Sequence, residues 1–249
     1  MDEQRQMKSE QRLYTTSRNG EEPMEKKKLN VVVTIGVIVV SIGLLTLVCY
    51  RLFGGFHASK YVSAICSQIL EGNVDSAIKM TRGLTEEKAI EQHEEMVENF
   101  VDNVIASGLD LEKNEKDACV ETTKKIFANL KYEVEKEEKI SDNEYRVTIR
   151  YQETDVIAKL QALAKEESAL ANKKVNKGEY EGTVEEINKQ IQKEFAEKLP
   201  SMLDEAYQTM AFGKEKTMVL VVVKNENGLY SVDISEFIVK MMGLSVKED

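Results

Sequence analysis

The chain has 249 residues, with 34 Lys and Arg against 44 Asp and Glu, a formal net charge of -10. That balance argues against nucleic-acid binding, which needs a basic face against phosphates. Two His and three Cys leave little for a His-based triad, a His-rich metal site or a disulfide scaffold, and 42% hydrophobic residues are too many for a wholly disordered chain.

Residues 1–28 are polar, with Met7, Leu13, Tyr14 and Met24 their only sizeable apolar side chains. They are expected to form a disordered cytoplasmic tail. Residues 29–50 carry no charge and are dense in Val, Ile and Leu. As a helix they reach roughly 33 Å, enough for a hydrocarbon core of about 30 Å. The spacing therefore predicts one transmembrane helix, with the lipid bilayer as its partner. Gly36 and Gly43 within it are seven apart, which is not the four-residue spacing of a tight helix dimer. Lys26, Lys27 and Lys28 precede the span, whereas only Arg51 and Lys60 follow within ten residues. The positive-inside rule then puts the N-terminus in the cytoplasm and the C-terminal part outside, anchored at the cell membrane as a single-pass protein. Retention is expected over cleavage, because the apolar core is longer than a signal peptide's and residues 51–58 lack a small-residue cleavage pattern. Lipidation at Cys49 is the weaker alternative. Val48 stands where a small residue would precede the lipid-bearing Cys, and Thr46 where Leu is usual.

A link over 51–57 leads to one extracytoplasmic domain, 58–249. Its first helix carries the stripe Ala58, Tyr61, Val62, Ile65, Cys66, Ile69, Leu70. A short segment from Val74 to Met80 follows. Thr85 is placed to cap a second long helix, with Ala89, Ile90, Met96, Val97, Phe100, Val101, Val104 and Ile105 inward and Gly108 as its stop. A third helix is expected over 114–130, with Ala118, Thr122, Ile126, Phe127 and Leu130 inward. The period then falls to two. Tyr132 and Val134 begin a short strand, Ser141-Asp142-Asn143 turn, and Tyr145, Val147, Ile149 and Tyr151 alternate with polar residues.

A long helix pair follows. Thr154 or Asp155 caps the first, with Val156, Ile157, Leu160, Leu163 and Leu170 in its stripe. Thr183 and Glu186 form a capping box for the second, which runs from Val184 to Met210 with a kink or restart at Pro200. Its stripe is expected to pack on the sheet, with an interaction arm as the alternative. Residues 218–223 are apolar on both faces, so their strand is expected to be central and covered. Asn225 to Gly228 reads as a hairpin turn, 229–233 as the returning strand, and Ser235 as the cap of a last helix ended by Gly243. Helices and antiparallel strands without regular alternation mean α+β, with about four strands and the helix pair inserted between two hairpins.

Tyr61 with Leu70-Glu71-Gly72-Asn73, Leu84-Thr85-Glu86-Glu87, Ile126-Phe127, Lys131-Tyr132-Glu133-Val134 and Tyr145-Arg146-Val147-Thr148-Ile149 carry a resemblance over most of residues 58–240. In these the chain resembles the uncharacterised membrane-anchored lipoproteins and single-span proteins of Gram-positive bacteria, whose outer domain has no assigned function. Some relatives are similar to the cystatin-like or nuclear-transport-factor-2-like fold, a curved sheet wrapped around helices. The expected four strands, interrupted by a helix pair, depart from that pattern.

No residue stands out as catalytic, cofactor-binding or metal-ligating. His93 lies among Glu91, Glu94 and Glu95, but the fourth residue on is Val97, so no pair of helical ligands forms and His93 reads as a surface or boundary residue. His57 carries no assigned role. Cys66 and Cys119 read as two buried free thiols, with pairing as the alternative. The acidic run 133–139 mixes both signs and reads as solvated strand surface. The function expected is a membrane-anchored binding or adaptor protein of the bacterial cell envelope, not an enzyme and without cofactor, whose partner is an envelope protein or a small-molecule ligand. The alternatives are a self-associating assembly component and a carboxylate-based envelope hydrolase.

Overall fold

The structure, a computed structural model, describes residues 56–244 apart from Arg82 and Asn227. The tail, the span over 29–50, Cys49 and residues 51–55 of the link lie outside the described residues. Among the described residues no helix is long and apolar enough to cross a membrane.

The described chain is α+β, with seven α-helices and a four-stranded antiparallel sheet. Helix α1 is Ala58–Glu71, α2 Asp75–Met80 and α3 Glu86–Phe100. A π-helical turn, Val101–Ile105, prolongs α3, and α4 is Lys113–Ala128. Strands β1 (Tyr132–Ser141) and β2 (Glu144–Thr154) form the first hairpin. Helices α5 (Val156–Asn176) and α6 (Val184–Gln208) follow. The chain closes with β3 (Phe212–Lys224), β4 (Tyr230–Val232) and α7 (Ser235–Met241). The sheet order is β1-β2-β3-β4, so the helix pair is a long excursion between neighbouring strands.

Helices α1 and α7 cover one face of the sheet. Val147, Ile149, Leu220 and Val222 point into that layer and are buried, as alternation requires. Tyr61, Ile65, Phe100, Phe127 and Phe237 are the bulk of the core, and Phe100 and Phe127 meet edge to face at 5.1 Å. Thr85 caps α3 by accepting a hydrogen bond from the Lys88 N–H, and Thr183 and Glu186 close the predicted capping box of α6. Cys66 and Cys119 are both buried and free. Burial, with Glu71 beside Cys66 and Glu115 beside Cys119, pushes each thiol up to about 12.

Several expectations need correction. β3 is central, but its apolar run is covered on one face only, and Val219, Val221 and Val223 lie on the uncovered face at 50%, 44% and 45% exposure. The described helices all sit elsewhere, so high β-propensity rather than burial accounts for the second row of valines. The helix pair packs within itself and, through α6, on α4 rather than chiefly on the sheet. Its stripe is buried near the sheet end, at Val156, Ile157, Leu160, Leu199, Met202 and Leu203, and open further out at Leu170 and Val184. Helix α6 runs through Pro200 as one element, with no restart. Ile90 and Ala118, expected inward, are exposed. The first strand has ten residues, not a short stub. Ser235 is the first residue of α7 rather than its cap, and the Asp233 carboxylate accepts its N–H at 2.8 Å. Asp155 stands at the start of α5, yet its side chain makes no capping bond to the helix main chain: its carboxylate accepts from the Ala211 N–H and pairs with Lys159 one turn on.

Candidate functional site

A groove of about 770 Å³ lies between α1 and the open edge of β1, closed at one end by α2. That volume lies within the 300–1,000 Å³ of ordinary ligand clefts. It exists for a reason visible in α1. Ser59, Ser63, Ser67 and Glu71 recur every fourth residue, so they form one row along the helix. The two ends of the row are pinned to β1. Ser59 donates from both its N–H (2.6 Å) and its hydroxyl (2.8 Å) to one oxygen of Glu137. At the far end the Tyr132 hydroxyl donates to Glu71 at 2.6 Å, and the Ser67 hydroxyl donates to the other Glu71 oxygen at 3.0 Å.

Twelve helical residues rise about 18 Å and five strand residues span about 17 Å, so α1 and β1 run side by side in opposite directions. Between the pins, beyond Lys60, stand the small side chains Ser63, Ala64 and Ser67, and the space they leave is the groove.

β1 is an edge strand. The Gln152 N–H donates to the Lys131 carbonyl at 3.0 Å, and the next pairs are Tyr132 with Tyr151, Glu133 with Arg150 and Val134 with Ile149. By antiparallel alternation Tyr132 and Val134 then turn their main-chain N–H and C=O groups away from β2, toward the groove. A bulge between Val134 and Lys136 ends this regular stretch.

The groove's carboxylates are already engaged. Glu71 accepts from Tyr132 and Ser67, and Glu133 and Glu135 pair with Arg150. Lys60 and Lys79, on the helix wall, make no ion pair with the described residues. Burial first, then the hydrogen bond to Glu71, pushes the Tyr132 phenol far above its ordinary range, so it stays a donor. Its ring also packs edge to face on Phe237 at 5.9 Å.

Glu137 carries the other pin. Burial pushes its carboxyl up, but the Ser59 N–H, the Ser59 hydroxyl and His57, 3.5 Å away, outweigh burial and hold it below its ordinary 4.5. A depressed carboxyl stabilises the fold above its unfolded value and loses that contribution as pH falls through its folded one. Glu137→Gln is therefore expected to cost about 1 kcal/mol near neutral pH, the scale of a charge-assisted hydrogen bond discounted for solvent. The gap between variant and wild-type unfolding midpoints should close as pH drops below 4.5. A gap that stays constant down to pH 3 would show that the charge on Glu137 contributes nothing.

His57 thus pairs with Glu137, a contact the sequence reading did not foresee. His93 is a clearer correction. It is 7% exposed, its Nδ1 lies 2.9 Å from the Ile69 carbonyl, and its ring fills the space beside Gly72, where an added Cβ would sit 3.2 Å away. The left-handed Gly72 after α1 lets that ring reach the helix end. The acidic run 133–139 is solvated except at Val134 and Glu137, which are half-buried. Phe56, expected in the link, belongs to the folded domain. It stacks flat on Tyr230 at 3.5 Å and meets Tyr145 at 5.3 Å and Tyr61 at 5.7 Å. No group of three or more His, Cys, Asp or Glu is placed to hold a metal among the described residues. The four-residue row on α1 was the one signal of the groove available in the sequence, complementary to the apolar stripe on the same helix.

No protein-family model matches the chain, and no curated protein matches it. Among solved structures the chain is similar to the crystal structure of a "putative lipoprotein (ycdA)" from Bacillus subtilis, at 17% sequence identity and a TM-score of 0.45. The match covers 74% of this chain and 55% of that one, so it spans little more than half of that protein's length.

Proposed function

We propose that the protein is a single-pass, membrane-anchored binding or adaptor protein of the bacterial cell envelope, with the groove between α1 and β1 as its binding surface. The observation that carries this reading is the groove itself, an open cleft of about 770 Å³ with two lysines that make no ion pair, and a strand edge that has no neighbour strand, among the described residues. The apolar stretch 29–50 supplies the anchor and the lysines before it the orientation. Phe56 is stacked into the domain, so only residues 51–55 separate it from Tyr50. No catalytic role is assigned.

Proteolysis of intact cells tests the topology. An added protease should remove the folded domain while residues 1–28 stay protected. Protection of the domain, with cleavage only after lysis, would overturn the orientation.

The helix pair supports a second reading, self-association. Leu170 and Val184 are 46% and 54% exposed on it, beyond the part of the pair that packs on the rest of the domain. An oligomer of the full chain that Leu170→Asp dissociates would favour that reading.

A further inference from the structure

We propose that the uncovered face of the sheet is an interface between two copies of this chain. The copies pack sheet against sheet about a two-fold axis that crosses the strands at the level of Val147 and Leu220. The inference depends neither on the groove nor on the helix pair.

The first observation is what the face is made of. By alternation β3 turns Val219, Val221 and Val223 outward, and β2 turns Thr148 outward between Arg146 and Arg150. The three valines form one row at 50%, 44% and 45% exposure. The strand's need for a β-branched residue is met as well by threonine, which fills the same face at Thr148 and Thr217. What valine adds is apolar surface, and that stabilises only when water leaves it.

The second observation is charge. Strand pairing lines up Lys136, Thr148 and Val219 on one side of the Val147 level, and Glu138, Arg146 and Val221 on the other. Glu137, between Lys136 and Glu138, is bonded to Ser59 beneath the sheet, so its two neighbours point outward. Both are exposed, and neither is in an ion pair among the described residues. A two-fold axis at the Val147 level lays Lys136 over Glu138 of the other copy, twice by symmetry, and Val219 over Val221. An axis one residue to either side sets Lys136 over Lys136, or Glu138 over Glu138 and Arg146 over Arg146. Charge therefore selects one register, since like charges face to face oppose association. Arg150 takes no part in that choice, because Glu133, Glu135 and Glu215 already share it.

The third observation is size. Strands β1, β2 and β3 have 10, 11 and 13 residues. Three strands about 4.8 Å apart and roughly 35 Å long offer about 500 Å² per copy, or about 1,000 Å² for the pair. That is close to the least a specific interface needs, so the expected dimer is reversible and weak. Aligned sheets lie about 10 Å apart, a gap that a lysine and a glutamate can bridge. An axis along β3 would set β2 over the three-residue β4 and leave β1 without a partner, and one along β2 would set Arg146 over Arg146.

Sedimentation of the full chain in detergent micelles, between 1 and 100 μM, tests the proposal. A reversible monomer–dimer equilibrium is expected. Val221→Glu should weaken association at least tenfold. So should Val219→Thr/Val221→Thr, which keeps the strand propensity, and both should leave the unfolding midpoint nearly unchanged. Lys136→Glu should weaken it by a similar factor, and Lys136→Glu/Glu138→Lys should restore it to within threefold of wild type. Leu170→Asp on the helix pair should have no effect.

A monomer throughout the range would overturn the proposal. So would a dimer that both valine variants leave intact, which would assign association to the apolar stretch 29–50 or to the helix pair. Weakening by the valine variants without rescue by the double charge variant would overturn the proposed axis. None of these outcomes bears on binding at the groove, so the two readings stand or fall separately.

Discussion

Replacing Phe237 by Ala is expected to destabilise the folded domain by about 3–5 kcal/mol, the usual cost of truncating a fully buried aromatic ring. Phe237 has no exposed surface and sits on α7 against the sheet. It meets Tyr151 at 5.7 Å and Tyr132 at 5.9 Å, both edge to face. Ala would lose the transfer energy of the ring, leave a cavity under the sheet and forfeit two aromatic contacts. Phe237→Leu keeps much of the volume and should cost less than about 1.5 kcal/mol. Urea unfolding followed by circular dichroism decides the matter, read as a fall in midpoint at unchanged slope. The loss should also reach the groove, because Tyr132 is held between Phe237 and Glu71. A variant within 1 kcal/mol of wild type would mean that α7 contributes little to the core.

Gly243→Ala should be nearly as damaging, at about 3 kcal/mol, for a different reason. Gly243 follows α7 at φ +69°, where an L side chain is strained by about 1–2 kcal/mol. Its added Cβ would lie 2.4 Å from the carbonyl oxygen of Thr154, at the end of β2. Neither atom can give way by a rotamer change, since the oxygen belongs to main chain and the Cβ position is fixed by it. The end of α7 must lift from β2, exposing Met241 and Met242, which are buried there. Gly83→Ala is the control. Gly83 has φ +81° and nothing within 4 Å of an added Cβ, so it should show the conformational cost alone. Equal losses at the two glycines would show that the close approach at Thr154 relaxes freely.

The two substitutions separate the sources of stability from the source of the groove. Neither Phe237 nor Gly243 lines the cleft, whereas Ser63, Lys60 and Lys79 line it and bury little. The groove variants should therefore change binding with little change in unfolding midpoint, as expected for exposed positions away from packing, caps and special backbone.

Local patterns in the sequence determined most of the elements. The stripe of α1, the Thr183–Glu186 capping box and the alternation of Val147, Ile149 and Tyr151 are set by residues within one or two turns of each other, so no knowledge of the fold was needed. The order of helices and strands followed from these. Four things depended on contacts between distant segments. His93 is buried because α1 ends in a left-handed glycine that makes room for the ring. Glu137, one acid in a run of charged residues, is distinguished only by Ser59, 78 positions away. Val219, Val221 and Val223 look like core in sequence, since composition reports propensity and cannot say whether a second layer exists. The groove itself arises from laying a row of serines against a strand edge, and which edge is open depends on strand order. That order is a matter of tertiary pairing across the inserted helix pair: the apolar run of β3 marked it as central, but nothing in β1 marked it as an open edge.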